Sequence, residues 1–330
     1  MKTFSRYHHV LWLLITTIFC LTGCSEEITV IKPGAPIPVV FGVFDLNRSI
    51  NYIKLSKTFA GMTDPYTLAT DHDRIFYSNA QVFLTDPYGS NRMSFTLQTG
   101  IPRDTGNFPA FPNEVYVLNQ KLYEGDYLLK VIIPSEKDTL TAKFAFIHPF
   151  KVISPKFGFK RFYFYEDPTV FSWYSDPAAG LYEISLNLAY EEWLKTGVTR
   201  RCSVSYTRQL NFADLESEKD HYNFRFYSDN FFARLGTIIK QNDSIDYRKP
   251  VGLTLLITAA DTTLAKYLNW IHQEIDDKVN PNGNVVGAVG VVGTKYSVPF
   301  TGLTLSQRSQ DSLVRGRYTK KLGFVSNSDW

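Results

Sequence analysis

The chain of 330 residues carries 35 Lys plus Arg against 32 Asp plus Glu, and two of the basic residues, Lys2 and Arg6, sit in a leader-like start. What remains is close to neutral, which excludes the basic field that nucleic-acid binding needs. If Cys20 leaves with that start and Cys24 is modified, Cys202 has no partner and no disulfide holds the fold; 15% aromatic residues are then expected to supply the core.

Residues 1–23 divide into a positive start, an apolar run from Val10 to Leu21 and a small-residue site, the layout of a secretory signal. The run is shorter than the ~20 residues that span a bilayer comfortably. Leu21-Thr22-Gly23-Cys24 resembles a bacterial lipobox. The resemblance implies a diacylglycerol thioether on Cys24, cleavage before it and acylation of the new amino end. Each buried methylene would add ~0.8 kcal/mol of membrane attachment. The competing reading is an ordinary leader with an incidental cysteine, or an uncleaved anchor. Ser25-Glu26-Glu27 is similar to the short acidic tether of surface-exposed lipoproteins in Bacteroidetes-type bacteria; the competing reading is a solvated tether that happens to be acidic. Residues 24–37 thus read as a lipid tether and a spacer stiffened by Pro33 and Pro36.

From residue 38 to 150, short strands alternate with turn sequences. Val39 to Phe44 is apolar and β-branched, and Asn51 to Ser56 and Ser94 to Gln98 alternate with period two. Asn79 to Thr85 closes on Asp86-Pro87-Tyr88-Gly89, a turn sequence. Gly125 to Ile133 and Thr139 to Ile147 follow. Six or seven strands in about 110 residues predict an antiparallel sandwich of immunoglobulin-like or transthyretin-like type.

A second block, 151–305, opens with Phe171-Ser172-Trp173, a turn at Ser175 to Gly180, and a cleanly alternating Leu181 to Leu188. This resembles the start of a fibronectin type III-like sandwich, which Arg201 to Leu210 and Gly252 to Ala260 extend. A helix is predicted over 262–279: Asp261, Thr262 and Thr263 offer cap oxygens, and Leu264, Tyr267, Leu268, Ile271 and Ile275 share one face. Gly287, Gly290 and Gly293 have the wrong spacing for a phosphate-binding loop, and predict a buried strand or bulge. Residues 306–330 read as a polar tail with a short helix from Ser309 to Val314.

Few residues suggest chemistry. Asp71-His72-Asp73 offers metal-ligand types, but neighbouring side chains diverge, and a solvated loop explains them. Cys202 with His148 or His221 lacks a nucleophile signature, and no Gly-x-Ser-x-Gly elbow occurs. The sequence therefore supplies no catalytic residue, no metal site and no cofactor site. An aromatic run is more suggestive. Phe157, Phe159, Tyr163, Tyr165, Trp173 and Tyr174, with Lys156, Lys160 and Arg161 interleaved, form a candidate ligand platform. The competing reading, favoured by the alternation, is the core of the second sandwich and the seam beside the first.

The lipobox, Asn79-Ala-Gln-Val-Phe-Leu-Thr85, Glu124-Gly-Asp-Tyr-Leu-Leu-Lys-Val131 and Asn284-Val-Val-Gly-Ala-Val-Gly290 together resemble a lipoprotein family of Bacteroidetes-type bacteria known as domain-of-unknown-function family 4249. The resemblance runs from Cys24 to about Leu305. It implies a cell-envelope protein encoded beside TonB-dependent outer-membrane receptors, with no catalytic residues to carry over. The expectation is a mostly β protein of two sandwich domains. It would be lipid-anchored on the outer membrane, facing outward or toward the periplasm, and would act with a TonB-dependent receptor in ligand capture. A structural or adhesive surface protein that binds glycan or a partner, and an unrecognised hydrolase, are the alternatives.

Overall fold

The computed structural model describes residues 35–59, 61, 63–77, 79–86, 89, 91–101, 113–156, 158, 160–164, 168–271 and 283–328. The protein is mostly β, as the alternation predicts. The strands of the first part are β1 (Pro38–Asp45), β2 (Ile50–Lys57), β3 (Gln81–Thr85), β4 (Arg92–Ser94), β5 (Thr96–Thr99), β6 (Glu114–Asn119), β7 (Asp126–Ile133) and β8 (Asp138–Ala145). Short helices α1 (Pro65–Leu68) and α2 (His72–Ile75) lie between β2 and β3. Next come β9 (Val152–Ser154), β10 (Arg161–Phe162), β11 (Thr169–Tyr174), β12 (Ala179–Leu194), β13 (Thr199–Leu210), β14 (Glu216–Glu218) and β15 (His221–Phe226). Helix α3 (Ser228–Ile238), β16 (Ile245–Asp261), α4 (Thr262–Ile271), β17 (Val285–Val286), β18 (Val289–Leu305) and α5 (Gln307–Arg315) complete the order.

One large sheet, β13-β12-β16-β18-β1-β2-β6-β5, runs through both halves of the chain. Two smaller sheets cover its inner face. β17-β8-β7-β3-β4 packs over the β1 side, where Val40, Phe44, Ile53 and Leu55 meet Leu84, Leu129, Val131 and Ala142. β14-β15-β11-β9 packs over the β12 side, where Tyr182, Ile184, Leu186 and Leu255 meet Phe171, Trp173, Phe224 and Phe226. The expected boundary near residue 150 therefore divides the covering sheets but not the large one.

β18 makes the joint. Val289 to Lys295 pairs in parallel with Val39 to Asp45, and Lys295 to Leu303 pairs antiparallel with β16. Val292 enters the first core, while Phe300, Leu303 and Leu305 enter the second. The glycines serve this crossing. Gly290 has φ +132°, and a Cβ there would overlap the Val40 carbonyl oxygen. A Cβ on Gly293 would come within 2.8 Å of Leu264 Cβ. These are strand glycines at close approaches, as expected.

Helix α4 covers the opposite face of the large sheet, with Leu264 and Ala265 against Leu181 and Ala260. Asp261 Oδ1 accepts the Leu264 N–H at 2.7 Å, and Oδ2 accepts the Thr294 N–H, so one carboxylate ties helix start to β18. The residues beyond Ile271 over which the helix was expected to continue lie outside the described residues. Ser94 to Gln98, expected as one strand, is split: β4 pairs with β3 and β5 with β6, in different sheets. Residues 306–328 are not a tail. The short helix expected there is α5, capped by Ser306, and Leu313, Leu322 and Phe324 join the second core. Their polar neighbours are buried with partners: Ser309 Oγ accepts the Phe164 N–H and Gln310 Oε1 accepts the Asn327 N–H, each at 2.7 Å. That satisfaction is why a polar sequence enters a core.

Candidate functional site

The seam between the two covering sheets leaves an opening over β18. The first cover ends here with Thr294 Oγ1 donating to the Ala145 carbonyl at 2.9 Å. The chain then crosses through Ile147 and Phe150 to β9, the outermost strand of the second cover. β1 leaves β18 at Lys295, and β10 joins it only at Thr304. From Tyr296 to Leu303, β18 therefore has β16 on one side and no described strand on the other. Two devices blunt this edge: Pro299 has no N–H to offer, and Asn47 Nδ2 donates to the Ser297 carbonyl.

A cleft of about 610 Å³ opens between the edges of β9 and β18. Its floor is Tyr296, Val298 and Phe300, alternate residues that face inward because β18 has period two. Phe150, Val152, Ile153 and Tyr174 form the facing wall, and Lys151 and Lys156 stand on the rim. Phe150 meets the Tyr296 ring edge-on, with centroids 5.7 Å apart. Burial, then the charges of Asp45 and Glu124, push the Tyr296 phenol above its ordinary value. Two carboxylates thus lie within electrostatic reach of one end of the floor. Beyond Lys156 lies a second depression of about 470 Å³, lined among others by Pro155, Phe162, Tyr163 and Val170. A size of several hundred Å³ with apolar walls and a few polar groups suits a small ligand.

The expected aromatic platform is only partly here. Tyr174 is 39% exposed and lines the first cleft; Tyr163 is 37% exposed and lines the second depression. Trp173 is a correction: it is fully buried and packs on Tyr182 at 5.2 Å between centroids. The cause is strand parity, since Phe171 and Trp173 point into the sandwich together. Phe157, Phe159 and Tyr165 lie outside the described residues, as do Cys24, Ser25, Glu26 and Glu27. The floor residues Tyr296, Val298 and Phe300 were missed because alternation marks them as core, and only the offset of the covering sheets opens them.

The candidate chemical groups are dispersed. His72 Nε2 lies 2.7 Å from Glu114 on β6 and Nδ1 3.1 Å from Asp73, and these bonds raise its pKa, Glu114 most. His148 Nδ1 lies 3.4 Å from Asp176, and His221 lies beside Glu218 and Asp220. The Cys202 thiol is pushed up by burial and then by Glu192, the opposite of nucleophile activation. Among the described residues, no group of three or more His, Cys, Asp or Glu is placed to hold a metal ion. No described helix is long and apolar enough to cross a membrane.

The chain matches no known protein family, and no curated protein matches it. Among solved structures it is distantly similar to the BSP domain of a biofilm-associated protein, with 10% identity over 81% of this chain and 59% of that one, at a TM-score of 0.13. It is similarly distant from the three N-terminal domains of the highly immunogenic outer capsid protein (Hoc) of bacteriophage RB49: 10% identity, 80% and 98% coverage, TM-score 0.12. At those scores neither carries an argument.

Proposed function

We propose that this protein is a non-catalytic binding protein of the bacterial envelope, held to the outer membrane by lipid on Cys24 and exposed at the cell surface. It captures its ligand in the seam cleft and acts with a TonB-dependent receptor in uptake. The observation that supports binding is the open apolar cleft between β9 and β18, whose walls carry rim lysines rather than a converging acid–base pair. The address is supported by the order of charge, apolar run and lipobox at Lys2, Val10 to Leu21 and Cys24. The immunoglobulin-like and fibronectin-like character of the two halves belongs to the same reading, and is supported by strand spacing alone.

Affinity capture from detergent-solubilised outer membranes, with the native protein as bait, tests the role. Recovery of a β-barrel receptor is expected; repeated recovery without any barrel protein would overturn the receptor partnership. Mass spectrometry of Cys24 in the same preparation tests the anchor separately.

A further inference from the structure

Every charged side chain that lines the seam cleft is a cation. Lys151 precedes β9 and Lys156 follows it, and both are exposed. Among the described residues neither is held in an ion pair. The other polar side chains of the lining are the phenols of Tyr174 and Tyr296, which donate hydrogen bonds at neutral pH. Asp45 and Glu124 stand outside the lining, so no carboxylate faces a ligand there. Phe150, Val152, Ile153, Val298 and Phe300 make the rest of the surface. The cleft is a trough along β18: its floor runs from Tyr296 to Phe300, and such a stretch of strand covers about 13 Å. A bilayer core is ~30 Å thick, so a lipid chain of one leaflet covers ~15 Å. One acyl chain slightly shorter than that matches the floor.

We propose that the cleft binds a single-chain carboxylate, a medium-length fatty acid whose chain lies along the β18 floor and whose head group is held by the rim lysines. This rests on the binding role proposed above and names the ligand class. The chain leaves water against Val298, Phe300 and Ile153, and each buried methylene adds to the affinity. The head group stays at the water boundary, where Lys151 and Lys156 give it charge-assisted hydrogen bonds without full desolvation. A glycan would leave the apolar walls unused, and a cationic amphiphile would meet like charge on the rim.

The test is calorimetric titration of the full-length protein with hexanoate, octanoate, decanoate, octanol, octyltrimethylammonium and 2-naphthoate. Wild type and variants are measured in the same detergent, so partition into micelles is common to all. Affinity is expected to rise about three- to fourfold per methylene from hexanoate to decanoate. Octanoate should bind about tenfold more tightly than octanol, the scale of one charge-assisted hydrogen bond. The double variant Lys151→Gln/Lys156→Gln, altered only at exposed positions, should bring octanoate down to octanol. Tyr174→Ala should weaken both alike. Equal binding of octanoate and octanol, or tighter binding of octyltrimethylammonium, would overturn the head-group assignment. Tighter binding of 2-naphthoate than of decanoate would overturn the acyl chain. No binding of any amphiphile, with a receptor still recovered from membranes, would overturn the fatty-acid ligand alone; octanoate bound as expected with no receptor recovered would overturn the partnership and leave this site standing.

Discussion

Arg248 Nη2 lies 3.0 Å from Glu192 Oε1, with both side chains about 95% buried (4% and 5% exposed). The pair closes the far end of the second core. Arg248 also donates to the carbonyls of Lys240 and Leu322, and its backbone pairs with Gly323 and Val325. Glu192 in turn accepts from Arg200. Strand β16, strand β12 and the C-terminal segment therefore meet on one guanidinium.

Removing Arg248 leaves the buried Glu192 carboxylate with only the more exposed Arg200 as its cation, and leaves the Lys240 and Leu322 carbonyls without that donor. Arg248→Ala is expected to cost ~3–5 kcal/mol in chemical denaturation. It should also expose the segment after Leu322 to limited proteolysis, which a loss of charge at an exposed site would not do. Burial alone would raise the Glu192 carboxyl, but hydrogen bonds from Arg200 and Arg248 outweigh it and hold the group below its ordinary value near 4.5. A lowered folded pKa adds stability above the unfolded value and loses it as pH falls through the folded one. Wild-type stability should therefore fall below about pH 4.5 more steeply than that of Glu192→Gln. Parallel curves for the two proteins would refute the linkage.

Gly290 and Val40 set the joint between the two halves. With φ at +132° and the Val40 carbonyl where a Cβ would stand, Gly290→Ala must break the parallel β1–β18 pairing or distort it. The expected loss is on the order of 3 kcal/mol or more, in denaturant midpoints. Because β18 feeds both cores, the two halves should unfold together in the wild type. Two separated transitions in the variant would locate the damage at the joint, whereas an unchanged single transition would deny β18 this role.

Alternation in the sequence told which face of each strand is buried, and the inward residues of β1, β2, β7, β8 and β12 follow it. It did not tell which strands pair. The parallel contact of Val39 with Val289 joins residues 250 positions apart, and no local pattern encodes such a partner. Phe231, Phe232 and Leu235 did carry a helical signal for α3, hidden in an aromatic-rich stretch where strands also fit. The segment after Leu305 was misread for another reason. Hydrophobicity does not register Ser309 and Gln310, which are buried because their hydrogen bonds are made. The cleft was half legible: Tyr174 stood out by composition, while its floor exists only through the offset of the two covers.

Trp173 and Tyr174 are adjacent and should respond oppositely. Trp173 is fully buried against Tyr182, so Trp173→Ala should cost about 3–5 kcal/mol in thermal or denaturant unfolding. Tyr174 is 39% exposed, so Tyr174→Ala should cost under about 1 kcal/mol and act on ligand affinity instead. Similar stability losses at both positions would mean that Tyr174 belongs to the core and that the cleft wall is misassigned.

His72 offers a local pH probe far from the cleft. Its ring bridges Glu114 and Asp73 and leans on Phe76, with centroids 5.3 Å apart. The Glu114 bond contributes most to raising the imidazole above its ordinary 6.5, the Asp73 bond next, and burial opposes them. Glu114→Gln should therefore return the His72 titration, followed by NMR of the ring protons, toward 6.5. A raised folded pKa gives stability that is complete below the unfolded value and lost as pH rises through the folded one. The wild type should gain a little stability below pH 6.5 relative to His72→Ala, and lose that gain as pH rises through the raised folded pKa. Because His72 is 45% exposed, solvent screening holds that gain well under about 1 kcal/mol. A titration midpoint for His72 at or below 6.5 in the wild type would show that the Glu114 contact does not form in solution. In that case the α2 segment is not held against β6 by this bond.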